Sequence, residues 1–311
     1  MDRKLPADAQ AFLQGLLERH RANEEGKLTD YLPEFGATDP GTFAVAVATV
    51  DGELACAGDH GHAFTLQSMS KPFIYGLALD RFGRADVHRK VSVEPTGEAF
   101  NSIIELEEDH LPYNPMINSG AIAMSALLHH AAPEGAAEQI MAMFGAYLGR
   151  EARLHEAVDA GALGGSHRNR AIAHLLRHFE VIGDDIEGAL SLYARQCVVA
   201  VDTADLAMMA ATLANGGVQP RTGCRAIGRD HLRDVLTLMF TCGMYDSSGA
   251  WAYTVGLPAK SGVSGGILAV VPGRMGLAVY SPRLDAHGHS VRGVEVFRSW
   301  SAQWRLGMFD R

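Results

Sequence analysis

The sequence predicts an α+β protein: an antiparallel sheet flanked by helices, with an all-helical domain inserted between the two halves of the sheet. Three observations carry this. Apolar, β-patterned runs lie near both ends of the chain, at residues 42–58 and 266–280. Between them, residues 71–215 read as almost wholly helical, with apolar side chains at i, i+3 and i+4. An order of strands, then helices, then strands argues against an alternating parallel fold.

Taken in order, residues 6–22 carry Ala, Phe and Leu at helical spacing and run into a charged stretch that stops at Gly26. Tyr31-Leu32-Pro33-Glu34 reads as a loop. Residues 42–50 form the clearest strand, and Asp51-Gly52 is a hairpin turn before a partner strand at 53–58. The first helix follows, with Pro72 near its first turn, where proline costs little. Apolar periodicity places further helices at 119–131, 136–148, 168–180, 185–196 and 203–215, separated by Gly and Pro. A second hairpin joins strands 266–271 and 275–280 through Pro272-Gly273-Arg274, and a last helix covers 288–306. This divides the chain into a discontinuous sheet domain, 1–70 with 205–311, and a helical domain, 71–204, with the active site expected at their junction.

Composition narrows the class. At 311 residues, 47% hydrophobic and 20% charged, the chain has ample length for a core and an ordinary globular balance. A formal charge of −9 without a Lys/Arg cluster argues against a nucleic-acid partner. No run approaches the ~18 apolar residues of a membrane span, and no apolar segment follows Met1-Asp2-Arg3-Lys4 as an export signal would require. Cys56, Cys197, Cys224 and Cys242 show no paired spacing and read as reduced thiols. The expectation is a cytoplasmic protein.

Two separated motifs point to chemistry: Gln67-Ser68-Met69-Ser70-Lys71 and Lys260-Ser261-Gly262-Val263. In a helix, residues three apart lie on one face about 5–6 Å apart, so Lys71 can reach the Ser68 hydroxyl. A serine hydroxyl is a weak nucleophile without an adjacent base. Lysine serves as that base only if burial or a second cation keeps it partly neutral, and Lys260 is a candidate for that cation. The chain holds five lysines against twenty-two arginines. Two of the five fall in these motifs, and arginine cannot accept a proton. Ser68, at a strand-to-helix handover, would present its own amide to a developing oxyanion. The small residues of 261–266 let backbone approach a ligand, and Val263 would act through its N–H. The bland readings are two surface lysines and a glycine-rich connection.

Asn114-Pro115-Met116-Ile117-Asn118-Ser119-Gly120 precedes a helix, where Asn or Ser is commonly an N-cap. Tyr245 lies in a Gly/Ser-rich loop, 243–249, where a packing role is harder to argue. The pairs His60/His62, His129/His130 and His287/His289 lack carboxylates or cysteines at ligand spacing, so no metal is expected.

Assembled, these segments resemble the serine-dependent glutaminase family. The matching stretches are Tyr31-Leu32-Pro33, Val50-Asp51-Gly52, Gln67-Ser68-x-x-Lys71, the run from Asn114 to Ile122, Arg168-Asn169-x-Ala171-Ile172-Ala173, Ala211 to Gly217, Cys242-Gly243-Met244-Tyr245-Asp246 and Gly256 to Val263. They run in order over most of the chain. The resemblance implies a fold like that of serine β-lactamases and penicillin-binding transpeptidases. It also implies hydrolysis of L-glutamine to L-glutamate and ammonia without a cofactor, and assembly as a homodimer or homotetramer. Carried over residue by residue, Ser68 would be the nucleophile and Lys71 its base. Tyr31 and Tyr245 would border the reacting centre, Tyr245 assisting proton transfer. The Ser68 and Val263 amides would form the oxyanion hole. Asn118, Asn169 and Tyr193 would hold the amino-acid end of glutamine, with Tyr245 and Lys260 completing the substrate site.

One position departs from the family pattern. The family carries a glutamate seven residues before the asparagine matching Asn169; here that position is Ala162, in Gly161-Ala162-Leu163-Gly164-Gly165. That glutamate is expected to pair with the substrate ammonium, and losing one partner of a desolvated charge pair costs about 2–5 kcal/mol. Asp159 and Glu156 are the nearby carboxylates, out of register. Two other readings follow: a penicillin-interacting serine hydrolase, disfavoured by the missing export signal, and a weakly active relative with a binding or regulatory role, motivated by Ala162.

Overall fold

The alternating Ala-Val pattern of Ala44–Thr49 places small and branched side chains on opposite faces of a strand, and both faces are buried. That strand, β1, lies inside a five-stranded sheet in a computed structural model that describes residues 3–29, 38–103, 106, 109–156 and 166–310. The sheet order is β2-β1-β7-β6-β5, all neighbours antiparallel. Its other strands are β2 (Leu54–Gly58), β5 (Ala259–Ser261), β6 (Gly266–Val271) and β7 (Met275–Tyr280). A two-stranded ribbon pairs β3 (Phe64–Thr65) with β4 (Ala200–Val201).

The period-two pattern sorts the core into two layers. Val45, Val47, Ile267, Ala269, Leu277 and Val279 meet α1 (Ala9–His20) and the C-terminal helix Val291–Trp304, whose Phe297 and Trp300 are fully buried. Ala46, Ala48, Leu268, Val270 and Ala278 join a second cluster, continuous with the helices of the middle of the chain. Those helices are α2 (Lys71–Val87), α3 (Asn118–Ala131), α4 (Ala136–Leu148), α5 (His167–His178), α6 (Ile186–Cys197) and α7 (Thr203–Ala214). The remaining helices are α8 (Arg229–Thr241), α9 (Ser248–Thr254) and α10 (Val291–Trp304).

Most predicted elements fall within a few residues of their observed bounds, and two readings change. Residues 88–103 and 110–117 are not helical, because Pro95, Gly97, Pro112 and Pro115 interrupt the apolar period. They form an irregular segment tied together by Ser92 N–H to Pro112 O (2.8 Å) and Glu94 N–H to Tyr113 O (2.9 Å). Helix α7 packs on the sheet, since the alanines Ala207, Ala210 and Ala211 lie directly against the Gly276 backbone of β7. Helix α8 was not anticipated, although Leu232, Val235, Leu236 and Met239 hold helical spacing there. Its charged first turn, Arg229-Asp230-His231, obscures the pattern.

Candidate active site

Ser68 sits in a short 3-10 turn, Gln67–Ser70, immediately before α2. The β3–β4 pairing and Leu66 N–H to Val199 O (2.9 Å) fix the start of that turn beside the C-terminal end of α6. Gln67 adopts φ 47°, a left-handed conformation costly for a residue with a Cβ. It is held there by its side-chain N–H to Thr65 Oγ1 (3.0 Å) and by Ser70 Oγ donating to its carbonyl (2.7 Å). The strained residue precedes the candidate nucleophile, and Ser68 itself is 8% exposed.

Lys71 opens α2, with Pro72 in the first turn as predicted. Its Nζ donates to Asn118 Oδ1 at 2.8 Å. An ammonium or amine nitrogen facing an asparagine in this way fixes the amide orientation, leaving Nδ2 to donate to Asn169 Oδ1 (3.0 Å). Tyr193 OH donates to the same Asn118 Oδ1 at 3.2 Å. Asn118, Asn169 and Tyr193, from α3, α5 and α6, are each at most 3% exposed. Asn118 is therefore the first residue of its helix with a side chain turned into the site, and the N-cap position belongs to Ile117.

Electrostatics follow from burial. Complete burial lowers Lys71 from 10.5 to about 7. Cys197, whose thiol burial raises to about 11, works weakly in the opposite direction. Lys260, on β5, is also fully buried and held well below its ordinary value, first by burial and then by Lys71. The role foreseen for Lys260 thus runs the other way: burial rather than a second cation lowers Lys71, and Lys71 acts on Lys260. Two carbonyls, Gly243 O (2.9 Å) and Ser261 O (3.0 Å), accept from Lys260 Nζ. The Tyr245 ring centroid lies 3.8 Å from the same nitrogen, and both contacts favour the ammonium form.

Tyr245 reaches that position because α8 ends against β5. A Cβ on Gly243 would lie 1.8 Å from Ala259 O, so only glycine admits this approach. Tyr245 follows in a second 3-10 turn, Tyr245–Ser247, with φ 51°. Its ring centroid is also 5.7 Å from Lys71 Nζ and 5.1 Å from the Phe100 ring. The phenol is thus a buried wall of the site rather than part of an open loop. Strands β5 and β6 pack on the Ser68 turn, and Val263 lies two residues beyond the end of β5. Val263 and Phe100 also line a cavity of about 720 Å³ with Lys27, Leu284 and Asp285. Tyr31, Ala162 and Asp159 lie outside the described residues, and Glu156 is exposed.

Sequence reasoning missed two features. His289, considered only as a metal partner of His287, is buried and stacks on Tyr245 at 5.8 Å between centroids. Its spacing from either motif carries no signal. The other is the bond from Lys71 Nζ to Asn118 Oδ1, an amide that also meets Tyr193 and Asn169. Among the described residues no group of three His, Cys, Asp or Glu side chains is placed to hold a metal. No helix among them is long and apolar enough to cross a membrane.

Ser68 and Lys71 are thus both buried, three residues apart in the chain, with Asn118 and Tyr245 against the lysine. The family model described as glutaminase matches residues 26–309. The chain is 47% identical over 305 residues to a glutaminase of Trichormus variabilis, covering 98% of this chain and 91% of that one. It is 47% identical over 299 residues to a glutaminase of Microcystis aeruginosa, covering 96% and 88%. Among solved structures, a probable glutaminase, ybaS, superposes with a TM-score of 0.93 at 39% identity, covering 98% and 99% of the two chains. A structure described as Mglu in its glutamate form superposes equally well, at 40% identity over 99% and 71%. With its fold and its sequence matched along nearly the whole length, this chain belongs to the glutaminase family.

Proposed function

We propose that the chain hydrolyses L-glutamine to L-glutamate and ammonia through an acyl-enzyme on Ser68, with Lys71 as the base. The observation that carries this reading is Lys71 itself: fully buried, lowered by that burial to about 7, and anchored through Asn118. A neutral amine donating one hydrogen to Asn118 Oδ1 keeps its lone pair for the Ser68 proton. The Ser68 oxygen attacks the side-chain amide carbon of glutamine, and the Ser68 and Val263 N–H groups stabilise the oxyanion. Collapse expels ammonia: Tyr245 gives its phenolic proton to the leaving nitrogen and regains one from the Lys71 ammonium, which is neutral again. Water then attacks the ester, Lys71 takes its proton and passes it to the departing Ser68 oxygen, and glutamate leaves.

Asn118 serves in this reading mainly as the support of Lys71. Its second amide hydrogen, with Asn169 and Tyr193, faces the amino-acid end of the substrate, and Lys260 holds Tyr245 in place. Tyr31 keeps its assigned place at the edge of the reacting centre by resemblance. The site draws Ser68, Lys260 and Val263 from the sheet domain (1–70 with 205–311). Lys71, Asn118, Asn169 and Tyr193 come from the helical domain (71–204), so catalysis needs both. Free Cys56, Cys197, Cys224 and Cys242 suit a reducing, cytoplasmic setting. Assembly into two or four copies is tested by light scattering of the purified protein.

The decisive experiment is ammonia release from glutamine by the purified chain and by Ser68→Ala. Removal of the nucleophile should lower kcat by about 10³-fold or more with the fold intact. A reactive diazoketone analogue of glutamine should label Ser68 in mass spectra. A folded Ser68→Ala protein with substantial activity would exclude the covalent route.

A further inference from the structure

His289 lies in none of the roles assigned above, yet it is built into the site. The ring is 2% exposed, and its plane is 13° from that of Tyr245 at 5.8 Å between centroids. Its Nδ1 is 2.9 Å from Ser261 Oγ, the residue after Lys260 on β5. The His287 ring also stacks on His289 at 6.5 Å, and His287 Nδ1 is 2.8 Å from Asp246 Oδ2, next to Tyr245. Asp285 Oδ1 accepts the main-chain N–H of both His287 and His289, each at 2.9 Å. One side chain thus ties the end of β5 to the turn that carries Tyr245.

Burial is the main cause that lowers His289 to about 4; Lys260 and His287 add to it, and Asp285 and Asp246 oppose it. Burial thus disfavours the imidazolium form of His289, as it disfavours the charged forms of Lys71 and Lys260. Its Nε2 has no hydrogen-bond partner among the described residues. Burying an unpartnered nitrogen is unfavourable, and phenylalanine or leucine would fill space alone without that penalty. The residue is better explained by what its ring and its Nδ1 hold.

We infer that His289 is a positioning residue for the reaction: its ring, pinned by Ser261, packs on Tyr245 and holds the phenol in its contact with Lys260. The inference rests on the role proposed for Tyr245 in proton transfer. Losing that packing lets the phenol leave its reactive position in the transition state while glutamine still binds, so the loss falls on kcat.

Steady-state glutamine kinetics in a double-mutant cycle with Tyr245→Phe test it. His289→Ala should lower kcat about 10-fold, the scale of one well-placed aromatic pair, with KM changed less than about twofold. His289→Phe keeps a ring against Tyr245 and should stay within about threefold of wild type. In the Tyr245→Phe background, His289→Ala should cost less than about twofold more, because the group it positions is gone. A wild-type kcat for His289→Ala overturns the inference, and so does a loss that simply multiplies with that of Tyr245→Phe. If the alanine protein does not fold, His289→Asn removes the ring while keeping a partner for Ser261, and the same cycle is run with it. Full kcat in Tyr245→Phe removes the role of Tyr245 and this inference together; a crippled Tyr245→Phe with an unaffected His289→Ala removes the inference alone.

Discussion

A lysine works as a base only when its protein keeps the proton off, and in the role proposed for Lys71 burial would do so with no cation assigned to the task. Burial brings it to about 7, so kcat/KM should climb about tenfold per pH unit below that value and level off above it. Lys71→Arg keeps a positive charge but cannot accept a proton. It should therefore be nearly as inactive as Lys71→Ala, and an arginine enzyme retaining most activity would show that only charge is needed. The sequence signalled Lys71 and Ser68 through a spacing of three and the scarcity of lysine. It could not signal His289 or the Lys71–Asn118 bond, because both join residues far apart in the chain by contacts without periodicity. Ala162 poses a separate question. An ammonium contact made equally in ground and transition states affects KM alone, so Ala162→Glu should lower KM by about 10-fold or more. A raised KM would mean that another carboxylate, Asp159 or Glu156, already serves; Asp159→Asn and Glu156→Gln would identify it.

At the level of elements, the strands and most helices were legible because each has one period and a clear stop. The Asp51-Gly52 and Pro272-Gly273-Arg274 turns bound strands that pair as read. What periodicity does not encode is which surface a helix covers. Helix α7 looks like its predecessors in sequence, yet it belongs on the sheet, because Ala207, Ala210 and Ala211 let its backbone meet the only bare position facing it on β7. A Cβ on Gly276 would lie 2.1 Å from Ala211 N and 2.3 Å from Ala207 O. Backbone atoms cannot step aside as a flexible side chain can, so Gly276→Ala must push α7 off the sheet. The expected cost is about 1–3 kcal/mol or more, read as a fall in the denaturant midpoint. An unchanged midpoint would mean that α7 and β7 are not in this register.

For the whole molecule, the site is a charge problem inside a core. The unfolded chain protonates Lys71 up to about pH 10.5, whereas the folded chain gives up that proton near 7. Between those values the unfolded state binds more protons, so stability rises with pH by up to about 1.4 kcal/mol per unit for each such lysine. Lys260, lowered in the same direction, adds to the slope. Above pH 9 the buried thiols Cys197 and Cys242, raised from 9.0 to about 11, keep protons that the unfolded chain loses, and the trend is opposed. The melting temperature should therefore increase from pH 7 to about pH 9, contrary to the usual optimum nearer neutrality. Lys71→Met isolates the cause. It fills similar space without a charge, and Asn118 Oδ1 keeps its bond from Tyr193. The variant should be inactive, more stable than wild type at pH 7, and less dependent on pH, with each kcal/mol recovered appearing as about 2 °C in Tm. A Lys71→Met protein that melts lower at pH 7, or a wild-type Tm that is flat from pH 7 to 9, would show that Lys71 stays protonated in the fold and that a different group accepts the serine proton.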